Sequence, residues 1–184
     1  MRVAGRGSFA DGSTVTWVIA DGRRGRRWRE VVARDDTVVH ALLLETDPAG
    51  RFSHLELARA DGLWTLHPES DGTLHGNHVG GADPDVRHIV GYPFAPDDAV
   101  VVEGSPVSQA ALAWGRAPTT IEGGVHRVAG VLIGADGRIE LADALRIERV
   151  SRTRWRIGEA EPFEIDDAGL PILVDGSIRP LEQA

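Results

Sequence analysis

The sequence has no cysteine among its 184 residues, and this absence removes several classes of chemistry at once. Disulfide bonds, thiolate metal sites and cysteine nucleophiles are all excluded. Lysine is also absent, so the 20 basic residues other than histidine are all arginines. A Schiff-base mechanism on lysine is therefore impossible, and each of these cations is a planar guanidinium suited to carboxylates and phosphates.

Long hydrophobic runs are missing too. No run approaches the ~20 apolar residues that a membrane-spanning helix needs, and residues 1–5 begin no apolar leader segment. We therefore expect a cytoplasmic protein without a membrane span. The formal net charge of −8 argues against a general nucleic-acid binder.

Asp-Gly steps, in contrast, are abundant. Asp-Gly tolerates the positive φ angles of tight hairpin turns, so each step can join two antiparallel strands. The steps begin at Asp11, Asp21, Asp61, Asp71, Asp136 and Asp175. This spacing predicts one all-β domain over residues 1–184, an antiparallel meander curled into a barrel or half-barrel with at most one or two short helices.

The segments between the turns have the composition of strands. Alternation places Val15, Trp17 and Ile19 on one face of a half-buried strand, whereas residues 37–45 are apolar on both faces and predict a strand covered on both sides. Further strands are expected over 26–34, 51–59, 62–67, 72–79, 86–91, 98–103, 124–135, 138–149, 153–158, 161–166 and 170–175. Residues 105–114 read as a short helix capped by Ser105 or as another strand.

Histidine and aspartate are concentrated between residues 67 and 88. His75 and His78 are three residues apart, and positions i and i+3 of a strand point to opposite faces. The two imidazoles therefore cannot easily hold one metal ion, so we predict no metal site. We also predict no cofactor, and we assign no residue a catalytic role. An enzyme using this His/Asp-rich region remains an alternative hypothesis.

A basic run surrounds Trp28, with arginines at positions 23, 24, 26, 27 and 29. One interpretation is a patch for an anionic headgroup. The other is a solvated hairpin edge, whose charges discourage pairing with another sheet.

Strand alternation also suggests a mixed wall of aromatic and polar side chains. Glu30, His54 and Glu56 are expected on the same strand faces as Trp28 and Phe52. Apolar surface with a few polar anchors is typical of a pocket for an amphiphile, although the same groups in plain outward alternation would form no pocket.

Several short motifs resemble a bacterial family described as glycolipid-binding. The similarity is clearest at residues 144–150, 154–157 and 163–170, where two strands lead into a closing turn, Ile-Asp-Asp-Ala-Gly-Leu. The Trp-Arg pair at Trp28 and the Gly-Leu-Trp hairpin ending at Trp64 are similar to motifs of the same family.

This resemblance implies a many-stranded barrel or half-barrel akin to lipoprotein carriers, which binds a glycolipid or similar small amphiphile without catalysis. It also suggests roles for Arg87 and His88. The expected ligand-binding residues are Trp28, Arg29, Glu30, Phe52, His54, Trp64, Arg87 and His88. A structural or protein-binding β-domain is the third hypothesis.

Overall fold

The protein is described here by a computed structural model covering residues 2–80, 86–172 and 179–180. Strands dominate it, as predicted. The strands are β1 (Arg2–Ser8), β2 (Thr14–Gly22), β3 (Gly25–Arg34), β4 (Thr37–Thr46), β5 (Phe52–Arg59), β6 (Gly62–Pro68), β7 (Thr73–Gly80), β8 (Val86–Pro93), β9 (Ala99–Val102), β10 (Val125–Ile133), β11 (Ile139–Arg149), β12 (Arg154–Ile157), β13 (Phe163–Ile165), β14 (Pro171–Ile172) and β15 (Arg179–Pro180). The helix α1 spans Pro106–Arg116. Within the described residues, no helix is both long and apolar enough to cross a membrane.

Asp-Gly steps close several hairpins, which confirms the basis of the fold prediction. Gly12, Gly72 and Gly137 have φ angles of 83°, 81° and 77° in the turns before β2, β7 and β11. The step at Asp21 behaves differently, because Gly22 pairs with Gly25 and leaves the two arginines between them as the turn. The step at Asp175 lies outside the described residues.

Two sheets make up the fold. The first has nine strands in the order β15-β1-β2-β3-β4-β5-β6-β7-β8, and the second has six in the order β14-β13-β12-β11-β10-β9. The described pairings are antiparallel except that of β9 with β10, which is parallel. A parallel pair needs a long crossover connection, and α1 lies on that connection.

The helix is enclosed by strands from both sheets. It contacts β3 of the first sheet and β9, β13 and β14 of the second. None of its residues is exposed, and Val107, Ala110, Ala111 and Ala113 are among its buried side chains. The helical interpretation of residues 105–114 is thus confirmed. Ser105 caps the helix by accepting a hydrogen bond from the Ser108 amide at 2.9 Å.

Two features of the strands differ from the prediction. The first is β4, which is not covered on both sides, because Val38 and Val39 are exposed. The second is β1, which was not predicted. Its glycines obscure the alternation, yet Gly5 is required there, since a Cβ atom at that position would lie 2.2 Å from the Trp17 ring.

Candidate ligand site

The interior of the curled sheets offers little room for a ligand. Between α1 and the strands that include Leu44 and Val100, the free space is about 20 Å³, room for about one water molecule. The interior is filled because the helix packs between the sheets. Beside α1, the described residues therefore leave no room for the apolar cavity expected inside the barrel, which stays a prediction for the rest of the interior.

A cleft of about 550 Å³ opens at the end of the fold where α1 begins. The turn before β2, the end of β3, the start of β4, the end of β5 and the segment before α1 all contribute to it. Phe9, Val32 and Val39 form an apolar wall. Ligand pockets commonly have volumes of ~300–1,000 Å³ and combine apolar walls with a few polar groups, so this cleft has the dimensions of a small-molecule site.

His40 and Glu30 form a buried pair at this cleft. His40 lines it, and the Nε2 atom of His40 lies 2.8 Å from Oε1 of Glu30. Their side chains are 5% and 0% exposed. The second carboxylate oxygen of Glu30 accepts a hydrogen bond from the Val107 amide at 3.1 Å. Both oxygens of this buried carboxyl group therefore have polar partners, as a buried polar group requires.

Guanidinium groups line the cleft from two strands. Arg59 donates a hydrogen bond to the Gly134 carbonyl at 2.5 Å. Burial lowers the pKa of Arg59 from its ordinary value, and the charges of Asp61, Glu103 and Asp136 oppose this shift. Arg34 reaches the cleft from β3. A polar group entering the cleft would therefore meet two guanidiniums beside the carboxylates of Asp11 and Glu103, which also line it.

Asp11 holds the opposite rim in place. Its carboxylate accepts hydrogen bonds from the Ser13 hydroxyl at 2.5 Å and from the Ser13 amide at 3.0 Å. These two bonds lower the pKa of Asp11 from its ordinary value, burial opposes them, and the nearby Arg34 guanidinium, with which Asp11 pairs, lowers the pKa further. Asp11 is therefore a fixed anion beside an arginine, and the rim offers both charges to a polar ligand.

The mixed wall of aromatic and polar residues predicted from alternation is wrong. Trp28 and Glu30 do face inwards, but His54 and Glu56 lie on the outer face of β5 and bond to each other at 3.2 Å. A bulge separates these two from Phe52. Thr46 pairs with Phe52, whereas the preceding residue pairs with His54, so Ser53 is the extra residue and Phe52 turns inwards.

The remaining predicted site residues are also scattered. Trp64 is half-buried, with its ring stacked on His78 at a centroid distance of 3.9 Å. Arg29 is exposed on β3, and Arg87 and His88 are exposed on β8. Of the eight predicted ligand-binding residues, only Glu30 is connected to the cleft, through His40.

The His/Asp-rich region does not converge on a site among the described residues. His67 and His75 pair on one face of the sheet, whereas His78 lies opposite Trp64 on the other, as the spacing predicted. No described group of three or more His, Cys, Asp or Glu residues is placed to hold a metal ion. The carboxylates at positions 83 and 85 lie outside the described residues.

The basic run around Trp28 divides into separate parts. Arg26 is buried, with its guanidinium 5.1 Å from the Trp28 ring centroid and 4.1 Å from that of Trp114. It donates to Asp21 and to the Ala168 carbonyl, both at 2.6 Å, and so links the two sheets. The others are exposed, and Arg27 pairs with Glu45. Both strands of this hairpin have neighbours on each side in the nine-stranded sheet, so the run does not protect a sheet edge. Its exposed arginines are solvated, as the second interpretation expected, whereas Arg26 is buried.

His40 is the main residue of the site that sequence reasoning missed. Its signal was present, because alternation along β4 places His40 on the same face as Leu42 and Leu44. A histidine on an apolar face requires a partner, and Glu30 on the inward face of β3 was the available one.

Comparison with known proteins identifies no family. No family model matches the sequence, and no curated protein matches it either. A similar solved structure is the 1.80 Å crystal structure of a DUF1089 family protein from Pseudomonas aeruginosa, with 14% sequence identity and a TM-score of 0.49 over 92% of this chain and 87% of that one. None of these comparisons confirms membership of a glycolipid-binding family.

Proposed function

We propose that this protein binds a glycolipid or similar small amphiphile in the cleft at the start of α1, without catalysing a reaction. The observation that carries the proposal is the combination, in one cleft of about 550 Å³, of an apolar wall with two guanidinium groups and fixed carboxylates. Sugar hydroxyls both donate and accept hydrogen bonds, so carboxylates and guanidiniums together suit a sugar head.

The apolar wall accounts for the binding of an acyl chain. Each methylene removed from water contributes about 0.8 kcal/mol. Ten buried methylenes would therefore supply about 8 kcal/mol before the entropic cost of binding, comparable to micromolar affinity. Affinity should rise with chain length until the wall is covered.

The hydrogen bonds of the cleft favour binding over hydrolysis. Ser13 lines the cleft together with His40, and a serine beside a histidine can form a nucleophile and base. However, the Ser13 hydroxyl donates to Asp11, and the Nε2 atom of His40 faces Glu30. No described hydrogen bond joins Ser13 to His40.

The test is calorimetric titration of the protein with alkyl glycosides of increasing chain length. Neither Trp28 nor Trp64 lines the cleft, so indole fluorescence is a poor reporter. Val39→Asp places a charge in the apolar wall, and Val38→Asp is its matched control, because Val38 is exposed but lies outside the cleft.

We expect affinity to increase with chain length in the wild type and in Val38→Asp. In Val39→Asp affinity should fall at least tenfold, or by about 1.4 kcal/mol, because the bound chain would cover a charge on the apolar wall. Affinity independent of chain length, or an equal loss in both variants, would refute binding in this cleft. No binding at any length would favour a purely structural domain.

A further inference from the structure

The outer face of the first sheet carries an unusual set of arginines. Arg2 and Arg6 extend from β1, and Arg27 and Arg29 extend from β3, all four exposed to solvent. We call this set the arginine face.

The register brings these four side chains onto one surface. Ala20 lies between Arg2 and Arg27, and Val18 lies between Ala4 and Arg29. The intervening strand β2 thus presents only short side chains along this surface. Neighbouring strands are ~4.8 Å apart, so the two arginine-bearing strands are separated by about 10 Å, with only short side chains between them.

The arginine face is strongly cationic in an acidic chain. Among the described residues, Arg27 pairs with Glu45, whereas no ion pair is formed by Arg2, Arg6 or Arg29. The exposed Arg23 and Arg24 of the adjoining turn add further positive charge. Because the whole chain carries a formal charge of −8, this concentration is not a consequence of average composition.

An apolar row runs across the sheet beside the arginine face. Each residue of this row is the cross-strand partner of the one before it, and the first is the partner of Thr16 on β2. The row consists of Val31, Ala41, Ala58, Leu63, Val79 and Val86. Val31, Leu63 and Val86 are 38%, 41% and 46% exposed. Ala58 is also exposed, whereas Ala41 and Val79 are half-buried, so the row is a continuous, partly exposed aliphatic strip of the kind that marks an interaction surface.

We propose that this outer face docks on the surface of an anionic lipid bilayer. The arginines bind lipid phosphates, and the apolar row contacts the interface between headgroups and acyl chains. Cations beside a strip of aliphatic groups match a bilayer interface, where phosphates lie beside acyl chains; an acidic protein is the alternative that the test separates. Val39, which is exposed and lines the cleft, lies on β4 two residues from Ala41 of the row, so the rim of the cleft adjoins the docking surface.

Docking goes beyond the proposed ligand binding and does not depend on it. The test is flotation with vesicles of phosphatidylcholine, with or without one third phosphatidylglycerol, at low salt. The test variant is Arg6→Gln/Arg29→Gln. The control is Arg127→Gln/Arg154→Gln, which makes the same charge change at exposed arginines of the second sheet.

We expect the wild type to bind the anionic vesicles and not the neutral ones. An arginine near an anionic membrane surface contributes about fivefold in affinity, so the test variant should bind about 25-fold more weakly and the control within about twofold of wild type. Binding should also weaken as salt is raised.

Three results would overturn the proposal. The first is absence of binding to anionic vesicles, and the second is an equal loss in both double variants, which would indicate only net charge. The third is that Leu63→Gln binds the anionic vesicles as tightly as the wild type does, and that the wild type binds soluble polyglutamate as tightly as it binds the vesicles. These two results together would indicate an acidic protein partner instead.

Discussion

The buried pair of Glu30 and His40 makes the sharpest stability prediction. Replacing His40 by leucine removes the donor to one oxygen of a carboxylate that is 0% exposed, and leaves only the Val107 amide on the other oxygen. Removing one partner of a buried pair, so that a carboxylate is left unpaired, costs about 3–5 kcal/mol. For a chain of this size we expect Tm to fall by roughly 6–20 °C, at about 2–4 °C per kcal/mol.

Replacing both members should cost less than replacing His40 alone. Glu30→Leu/His40→Leu leaves no buried charge and fills the space with apolar groups, an exchange that is often neutral or stabilising. The remaining penalty is the unpaired Val107 amide, about 1–3 kcal/mol.

The assay is unfolding in urea, monitored by circular dichroism. The urea concentration at the midpoint is compared between variants whose free energy of unfolding falls with urea at the same slope. His54→Leu is the matched control, because His54 also contacts a glutamate, at 3.2 Å, but with both side chains partly exposed. It should change the free energy of unfolding by about 1 kcal/mol or less. The reasoning fails if His40→Leu costs no more than this control, or if the double variant costs as much as His40→Leu or more.

Three further variants test other contacts. Arg26→Ala should lower the free energy of unfolding by about 2–4 kcal/mol in urea titrations, because it removes two ring contacts and leaves a carbonyl unpaired. The exposed control, Arg27→Ala, should lower it by at most about 1 kcal/mol. Equal losses in the two variants would contradict the role of Arg26 as a link between the sheets. Gly169→Ala should unfold at a clearly lower temperature in calorimetry, because φ is +78° there and the new Cβ would lie 2.4 Å from an indole carbon; an unchanged Tm would contradict this. Ser13→Ala should raise the pKa of Asp11 towards its ordinary value in a carboxyl NMR titration. In the wild type, any stability from this carboxylate should be present at neutral pH and lost as the pH falls below about 3.8, its ordinary value, through the depressed pKa. An unchanged pKa of Asp11 in the variant would show that Ser13 does not lower it.

The strand pattern was predictable from sequence because its cause is local. Asp-Gly turns fix where the chain reverses, and alternation fixes which side chains face inwards. The same local logic fails at Ser53, because a bulge depends on how two strands pair and it reverses the face of Phe52. It also fails for β1, where Gly5 is selected by the Trp17 ring of a neighbouring strand.

The position of α1 explains why so little free space remains beside it in the interior. A meander that curls suggests an empty interior, and the local sequence does not show where its one described helix packs. A signal did exist, since the sequence of the helix gives it no wholly polar face, and a helix without a polar face is expected to pack in a core. Its small side chains let strands from both sheets approach it.

The start of α1 also determines how the cleft can bind an anion. A helix N-terminus attracts negative charge through its free amides, and it would ordinarily be the first place to look for a bound headgroup. Here Glu30 already occupies that position, with one oxygen on the Val107 amide and the other facing His40. A ligand anion at the same amide would have to displace a buried carboxylate that has no water to receive it. The other donors that line the cleft are the guanidiniums of Arg34, which pairs with Asp11, and of Arg59, which donates to the Gly134 carbonyl. In the proposed complex the head of the ligand should therefore lie towards β3 and β5 rather than on the helix axis.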